Sequence, residues 1–256
     1  MSKVGVLLNC HEYVEYTRAA LDSAMDQQYP PDAIYAVVDA PSKENWKKYE
    51  SILQGIEHYT TPENVGISGA RNIGFQELID RGMDFIIPLD EDDILHKQAV
   101  RRAKQAIEIQ PDVSVHYWDW VMFDEEDNKY KYIRVPEWKE ETMFERPFII
   151  SCSAISGQMW RDVKRSNGTG YDVELMRQGL RWEDYLFYLE GTLLGCKMAR
   201  IGICSFTRVR RHGVSGTTVA DATRPQWYEY ARRKLETLYG CDPNRIREIP
   251  LSSGES

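Results

Sequence analysis

Short apolar runs alternate with helix-forming segments through the first 120 residues of this chain. The runs 4–8, 33–38 and 85–89 are rich in branched side chains and too short to be core helices, so they predict buried strands. The segments between them, such as 13–28 and 69–81, have helical spacing. This alternation predicts an α/β fold whose largely parallel sheet carries helices on both faces.

The second half of the chain has longer aromatic and apolar runs. We predict strands over 113–123, 130–135, 149–156 and 198–209, and helices over 183–194 and 225–239. The last of these is amphipathic and would pack on the sheet as a C-terminal helix.

The composition is typical of a folded globular protein. Of 256 residues, 42% are hydrophobic, and the formal net charge of −8 argues against broad binding to nucleic acid or anionic membranes. No stretch approaches the roughly 20 apolar residues that cross a bilayer, so we predict no stable membrane insertion. Five cysteines without Cys-X-X-Cys spacing indicate free thiols and a cytoplasmic location.

The strand predicted at 85–89 ends abruptly in four acids, Asp90, Glu91, Asp92 and Asp93. Carboxylates at one strand end repel one another, and no basic residue adjoins them in the sequence. A divalent cation would hold them together, and hard oxygen ligands favour magnesium, manganese or calcium. Strand ends are also where open α/β sheets bind ligands. The alternative is a solvated acidic turn that caps the next helix.

Four short motifs occur in the first 95 residues: VGVLL at 4–8, VVD at 37–39, GISGARNIG at 66–74 and LDEDDIL at 89–95. About ninety residues later comes the pair Glu183-Asp184, and after it an Arg-rich strand that ends at His212. In order and spacing, residues 3–216 resemble the family 2 glycosyltransferases of the GT-A fold.

The resemblance implies both an architecture and a reaction. It implies a GT-A type catalytic domain over 1–216 with a central, mostly parallel mixed sheet flanked by helices. A Rossmann-like nucleotide-sugar-binding half would span 1–110 and an acceptor-binding half 111–216, followed by a C-terminal helical extension and tail over 217–256. The reaction is transfer of a sugar, with inversion, from a nucleotide diphosphate-sugar (a UDP-sugar by family default) to an acceptor hydroxyl, with Mn²⁺ or Mg²⁺ as cofactor.

Residue roles carry over where the motifs match. The triplet 90–92 matches the family's DxD motif, which implies that Asp92 ligates the metal and that Asp90 contacts the ribose or the metal and its water. Asp93 would lie nearer the sugar. Glu183 and Asp184 match the ED motif, whose second acid is the general base. The alternative for this pair is a structural role at a helix N-terminus.

Further residues complete the site that the resemblance implies. The nucleotide-sugar would contact Cys10, Glu12, Asp39, Arg71, Asn72, Arg210 and Arg211, His212 would be a further metal ligand, and Trp182 would be an aromatic wall for the acceptor. Alternatives remain for several of them: Arg71 as an ion pair beside the acidic loop, Trp182 as a core residue, and Arg210, Arg211 and His212 as a solvated, charged strand end.

Two loops depart from the family pattern. Residues 9–12 are Asn-Cys-His-Glu where the family commonly has Pro-Thr-Tyr-Asn, and residues 39–42 are Asp-Ala-Pro-Ser where it often has Asp-Asp-Gly-Ser. In the family these loops cradle the nucleobase, and Ala40 replaces an acid that commonly reads uracil. Asp39 or Glu12 would substitute, and the base of the donor stays open.

The acceptor also stays open. A bacterial surface glycan or another soluble acceptor is the leading prediction, with a location in the cytoplasm of a bacterial or virus-infected cell. A viral enzyme that glycosylates hydroxymethylated DNA bases is an alternative, which the basic and aromatic segment 224–234 would serve. Two further alternatives are a nucleotidyltransferase and a non-catalytic nucleotide-sugar-binding protein. The first usually has a Gly- and Lys-rich N-terminal loop, which residues 9–12 do not form. The second would have lost a metal or base position, and both are present here.

Overall fold

The computed structural model describes residues 2–210 and 222–248. In chain order the strands are β1 (Val4–Cys10), β2 (Ala33–Val38), β3 (Glu57–Thr60), β4 (Phe85–Asp90), β5 (Asp93–Leu95), β6 (Val115–Tyr117), β7 (Trp120–Asp124), β8 (Lys129–Ile133), β9 (Ala154–Ser156), β10 (Met198–Arg200) and β11 (Phe206–Arg210). The helices are α1 (Val14–Met25), α2 (Lys43–Ile52), α3 (Gly66–Asp80), α4 (Ala99–Ile109), α5 (Glu140–Glu145), α6 (Gly157–Asn167), α7 (Val173–Arg177), α8 (Glu183–Leu193) and α9 (Arg224–Tyr239), followed by a 3₁₀ turn at Pro243–Arg245.

A seven-stranded sheet forms the centre of the molecule, in the order β10-β6-β9-β4-β1-β2-β3. All neighbours are parallel except β9, which runs antiparallel to both β4 and β6. The expected α/β fold with a mostly parallel mixed sheet is therefore confirmed.

Chain order reverses between two central strands. The chain moves outward from β1 through β2 to β3 and then crosses back, so that β4 lies on the other side of β1. The carboxyl ends of β1 and β4 meet at this point, where Asn9 is the register partner of Asp90. Open α/β sheets bind ligands at such switch points, and here the position is occupied by the acidic run.

Both faces of the central sheet are buried. Val6 and Leu8 of β1 lie in a core cluster with residues of α1 and α4, whereas Leu7 faces the other side and packs in a second cluster with Phe75 of α3 and residues of α8. Fully burying one such side chain stabilises a fold by roughly 1.5–3 kcal/mol. The rigid sheet and its flanking helices thus hold the strand ends in place.

A second, four-stranded sheet begins directly after the acidic run. Its order is β5-β11-β7-β8, with β11 parallel to β7 and the other pairs antiparallel. The register places Asp93 of β5 opposite Arg208 of β11. A strand from the far end of the chain therefore faces the acids.

Three predicted strands were wrong in extent. The segments 113–123 and 198–209 each form two short strands that belong to different sheets, and 149–156 is extended only at Ala154–Ser156. Between β6 and β7 the buried carboxylate of Asp119 accepts hydrogen bonds from Arg200 at 2.6 and 2.8 Å and from the N–H of Val135 at 3.0 Å. An apolar run does not reveal where a chain leaves one sheet for another, and helices α5 to α7 were not predicted.

The predicted C-terminal helix is confirmed as α9, and it packs against α8. The ring of Trp227 stacks on that of Tyr185 with centroids 5.0 Å apart. No helix within 2–210 or 222–248 has the length and apolar character to span a membrane. All five cysteines have free thiols.

Candidate functional site

Asp90 is the centre of the candidate site. It ends β4 and is half-buried. The side-chain amide of Asn9 donates to its Oδ1 at 3.3 Å, and the Arg71 guanidinium donates to both carboxylate oxygens at 3.3 and 3.2 Å. The carboxylate is therefore held by its neighbours on β1 and α3.

Arg71 joins the two acidic motifs. Its side chain is 2% exposed, and its second terminal nitrogen lies 2.7 Å from Oε1 of Glu183, 112 residues further along the chain. Its guanidinium also lies 5.4 Å from the centroid of the Tyr171 ring. Burial would lower the pKa of Arg71, but the charges of Asp90 and Glu183 raise that pKa above its usual value. The interaction expected as an alternative for Arg71, an ion pair beside the acidic loop, is present.

Helix α3 brings Arg71 to this position. The carboxylate of Asp39 accepts hydrogen bonds from the N–H groups of Val65 and Gly66, both at 2.9 Å, at the start of the helix. Gly66 takes φ 70°, a left-handed conformation that glycine adopts without strain. Asp39 is 2% exposed, and its side chain holds the helix N-terminus. Its contact with the nucleotide stays a prediction.

Asp92 follows Asp90 in the turn to β5, and Asp93 is the first residue of that strand. Asp93 is buried, and its Oδ1 accepts the N–H of Val209 at 3.1 Å. Burial and then the charge of Asp92 raise the pKa of Asp93 well above its usual value, although Arg208 opposes this. The repulsion expected among these acids therefore exists in the fold.

Asp184 lies in the first turn of α8, next to Glu183. Its Oδ1 accepts the N–H of Tyr185 at 2.8 Å. Burial and then the charge of Glu183 raise the pKa of Asp184 to about 6, while Arg71 limits the rise. A carboxyl of this pKa is ionised at neutral pH and can still accept a proton, which suits a general base.

Trp182 precedes this pair in a strained conformation. Its φ of 67° is unusual for a residue other than glycine. Its half-buried ring makes edge contacts with Trp227 and Tyr228 of α9, at centroid distances of 5.4 and 6.2 Å, and the Arg224 guanidinium lies 5.3 Å away. Strain of this kind persists only where surrounding packing enforces it, and here the C-terminal helix supplies that packing.

The two loops expected to cradle the nucleobase lie side by side. Nδ1 of His11 donates to the backbone carbonyl of Asp39 at 2.8 Å, and Nε2 lies 3.3 Å from the side-chain amide nitrogen of Asn64. Ala40 has φ 44°, a strained value for alanine, and Glu12 is exposed. Cys10 is buried at the end of β1, where burial and the charge of Glu91 raise the pKa of its thiol.

Glu91, between Asp90 and Asp92, turns away from both. Its carboxylate is buried and lies under the loop between β1 and α1. It accepts hydrogen bonds from the N–H groups of His11, Glu12 and Tyr13 and from the hydroxyls of Thr17 and Tyr49.

The remaining predicted residues lie elsewhere or outside the described residues. The Asn72 amide is engaged within the protein, with Tyr171 at 2.7 and 2.8 Å and with Nε1 of Trp160 at 3.1 Å. Arg210 ends β11, where the structure describes its backbone. Arg211 and His212 fall in the segment 211–221, outside the described residues.

Two residues of the site were not predicted as such. Asn9 bonds to Asp90, and Glu91 bonds to the loop between β1 and α1. Arg208 belongs to the Arg-rich strand that was predicted to lie near the diphosphate, and it is the register partner of Asp93 on the adjacent strand β5. The role of Glu91 has no sequence signal, since its partners lie about 80 residues away.

The donor set is suited to a hard divalent cation. Within the described ranges, no group of three or more His, Cys, Asp and Glu side chains is arranged to hold a metal. Mg²⁺, however, is commonly held by one or two carboxylates together with substrate phosphates and water. Asp90 and Asp92 are the candidates for such carboxylates. Burial, the largest cause, and then the charge of Asp92 raise the pKa of Asp93, and a cation would offset the part of this rise that comes from charge.

Sequence comparison finds one family. The family model described as "Glycosyl transferase family 2" matches residues 6–162, more than half of the chain. No curated protein matches the sequence.

Structure comparison finds the same architecture at low sequence identity. S. aureus TarS matches with a TM-score of 0.68 and 14% identity, covering 95% of this chain and 41% of TarS. TarS 1–349 in complex with UDP-GlcNAc matches with a TM-score of 0.71 and 14% identity, over 95% of this chain and 69% of that one. The mannosyltransferase PcManGT from Pyrobaculum calidifontis, in complex with GDP-Man and Mn²⁺, gives 0.62 and 11%, over 92% and 64%. At these identities the likeness shows the fold.

Proposed function

The chain belongs to glycosyl transferase family 2, and from this premise we propose how it acts as a nucleotide-sugar-dependent glycosyltransferase. It transfers its sugar with inversion, and it uses a divalent metal and Asp184 as general base. The observation that carries the proposal is the buried Arg71, which bonds to Asp90 on one side and to Glu183 on the other. The guanidinium of Arg71 therefore joins Asp90 of the DxD segment to Glu183 of α8.

The two acidic groups have different tasks in this proposal. Asp92, with Asp90 and with His212 as a further ligand, would hold Mn²⁺ or Mg²⁺. A divalent cation held there would supply positive charge for the diphosphate leaving group. Arg71 orients Asp90, and Arg208, Arg210 and Arg211 provide positive charge near the diphosphate.

Asp184 acts on the acceptor. Inversion requires the acceptor hydroxyl to attack from the face opposite the leaving group, so the base must lie apart from the metal ligands. Asp184 is on α8 and Asp92 follows β4, which supports this division. Glu183 is bound to Arg71 and orients the start of α8.

The donor's base and the acceptor are the open parts of the proposal. A UDP-sugar is the family default, and the exposed Glu12 would substitute for the acid that Ala40 replaces. The contact of Trp182 with the acceptor stays a prediction, since its ring already packs against α9. A glycan or other hydroxyl compound is the acceptor class.

Metal-dependent nucleotide binding tests the donor site. A ligand that binds only the native state raises the melting temperature, so we expect uridine or guanosine diphosphate to do so with Mn²⁺ and much less without it. Asp92→Asn should abolish the Mn²⁺-dependent part. Asp22→Asn, an exposed acid on α1, is the matched control. An equal shift in Asp92→Asn and the unaltered protein would reject the metal site.

Transfer kinetics test the base. We expect Asp184→Asn to retain donor affinity and to lose transfer by about 10²–10⁴-fold, the usual contribution of a positioned base. Slow release of nucleoside diphosphate from the donor, measured without acceptor, identifies the productive nucleotide-sugar first. Transfer by Asp184→Asn at nearly the normal rate would remove this residue from the base role.

A further inference from the structure

Glu91 is a buried carboxylate that the proposed reaction does not use. It is 3% exposed and lies in the sequence between Asp90 and Asp92, the two acids of the proposed metal site. Burying a carboxylate is unfavourable unless hydrogen bonds replace its hydration. Five donors do so here, and their identity shows what the residue holds in place.

Three of the five donors are consecutive backbone N–H groups. Oε1 of Glu91 accepts from His11 at 2.8 Å, from Glu12 at 3.0 Å and from Tyr13 at 2.9 Å. The hydroxyls of Thr17 and Tyr49 donate to Oε2, at 2.8 and 2.6 Å. One carboxylate therefore accepts hydrogen bonds from the backbone of all three residues of the loop 11–13.

The loop 11–13 leads into α1, whose N-cap residue Tyr13 makes no side-chain capping bond. The first N–H groups of a helix lack intrahelical partners, and a negative charge near them is favourable. Glu91, 78 residues further along the chain, accepts the N–H of Tyr13 and so places its carboxylate at the start of the helix. The N–H groups of His11 and Glu12, which precede the helix, bond to the same oxygen.

The same turn also carries the predicted diphosphate and metal ligands. Glu91 lies between Asp90 and Asp92, and its own N–H donates to the carbonyl of Asn9 at 3.0 Å. The side chains of His11 and Glu12 are 41% and 66% exposed, so the loop turns its amides inward and its side chains outward. The loop's shape is thus set from the acidic turn.

We propose that Glu91 is a positioning residue for donor binding, which fixes the loop 11–13 against the nucleobase while its neighbours hold the diphosphate. This rests on the proposed function, because it takes the two loops as parts of one nucleotide-sugar site. Glu91 couples recognition of the base to the metal turn without touching the donor.

The test separates the base from the diphosphate. Calorimetry with Mn²⁺ would compare uridine and guanosine diphosphates with pyrophosphate, which lacks a base. For Glu91→Ala we expect the Kd of the nucleoside diphosphate to rise at least about tenfold, because an unheld loop must be ordered on binding. Pyrophosphate should bind as before, and Glu15→Gln, which removes an exposed acid from the first turn of α1, should change neither.

Glu91→Gln keeps the side chain's shape, so it tests the positioning role of Glu91 if Glu91→Ala does not fold. Charge-assisted hydrogen bonds are about twice as strong as neutral ones, so we expect about a threefold rise in Kd and faster hydrogen exchange at amides 11–13. Equal losses for nucleotide and pyrophosphate, or unchanged affinity and exchange in Glu91→Gln, would overturn the proposal. If the unaltered protein bound neither nucleotide with Mn²⁺, the proposed function itself would fail, and this assignment with it.

Discussion

At the scale of single residues, the site is a set of carboxylates whose environments differ. Asp90 is neutralised by Arg71, Glu91 is surrounded by donors, and Asp93 is buried beside another acid. Asp184 has its pKa raised to about 6 by burial and by Glu183. The same side-chain chemistry therefore gives an ion pair, a set of loop contacts and carboxyls of raised pKa, according to what surrounds each group.

The raised pKa of Asp184 predicts a pH-dependent effect on stability. The folded state binds this proton more tightly than the unfolded chain, so ionising Asp184 lowers the free energy of unfolding as pH rises from about 4 to about 6. Asp184→Asn removes that cost. We expect its melting temperature to exceed that of the unaltered protein at about pH 7.5 and to match it at about pH 4 and below.

Scanning calorimetry across this pH range measures the effect. Asp22→Asn, exposed on α1, serves as control and should shift little at any pH. A lower melting temperature for Asp184→Asn at neutral pH would show that its ionised form stabilises the fold.

At the scale of elements, α3 is placed by close packing on β1. A Cβ built on Gly74 would overlap the side chain of Leu7, which is fully buried and has no room to turn. Arg71 lies one turn earlier on the same helix, so the approach of α3 to the sheet brings its guanidinium to Asp90.

Gly74→Ala should therefore destabilise the protein, although alanine is the better helix former by about 1 kcal/mol. Overpacking a buried contact costs typically about 1–3 kcal/mol, and the helix must also move away from β1. We expect urea denaturation to show a net loss of stability and nucleotide affinity to fall as Arg71 shifts. Gly202→Ala, whose added Cβ would have its nearest neighbour 3.8 Å away, is the control. A Gly74→Ala protein as stable as the original would contradict the packing argument.

At the scale of the whole molecule, α9 is tied to the catalytic elements by a buried polar network. Nζ of Lys234 lies 2.7 Å from Asp172 and 3.0 Å from Glu190, and Glu190 on α8 is fully buried. Burial raises the pKa of Glu190 to about 7, while Lys234 opposes the rise. Together with the packing of Trp227 against Trp182, this network joins the C-terminal helix to the segment that carries Asp184.

Lys234→Met should test this connection. Removing one partner of a buried ion pair leaves the other charge uncompensated and costs about 3–5 kcal/mol. With a pKa of about 7, Glu190 is protonated at about pH 5 and ionised at about pH 8. We therefore expect the substitution to lower the free energy of unfolding more at about pH 8 than at about pH 5. Urea denaturation at both pH values measures it, with the exposed neighbour Arg233→Met as control. Equal losses of stability at the two pH values would show that Lys234 does not stabilise the protein through Glu190.

Much of the architecture and part of the site were predictable from local pattern. Strand and helix periodicity extends over a few residues, and it correctly predicted the central strands, α3, α8 and α9. The motif order brought Asp90, Arg71 and Glu183 into one predicted site, and the structure places these three in direct contact. Their roles toward ligands stay predictions.

Other features depended on which distant groups folding brings together. Local pattern did not show that Asp119 binds Arg200 between two strands, or that the Asn72 amide bonds to the backbone of Tyr171. Nor did it show what Glu91 binds, and in the structure Glu91 holds the loop 11–13. Periodicity reports which side of an element is buried, whereas a polar side chain's partner is set by the tertiary contacts that satisfy its hydrogen bonds.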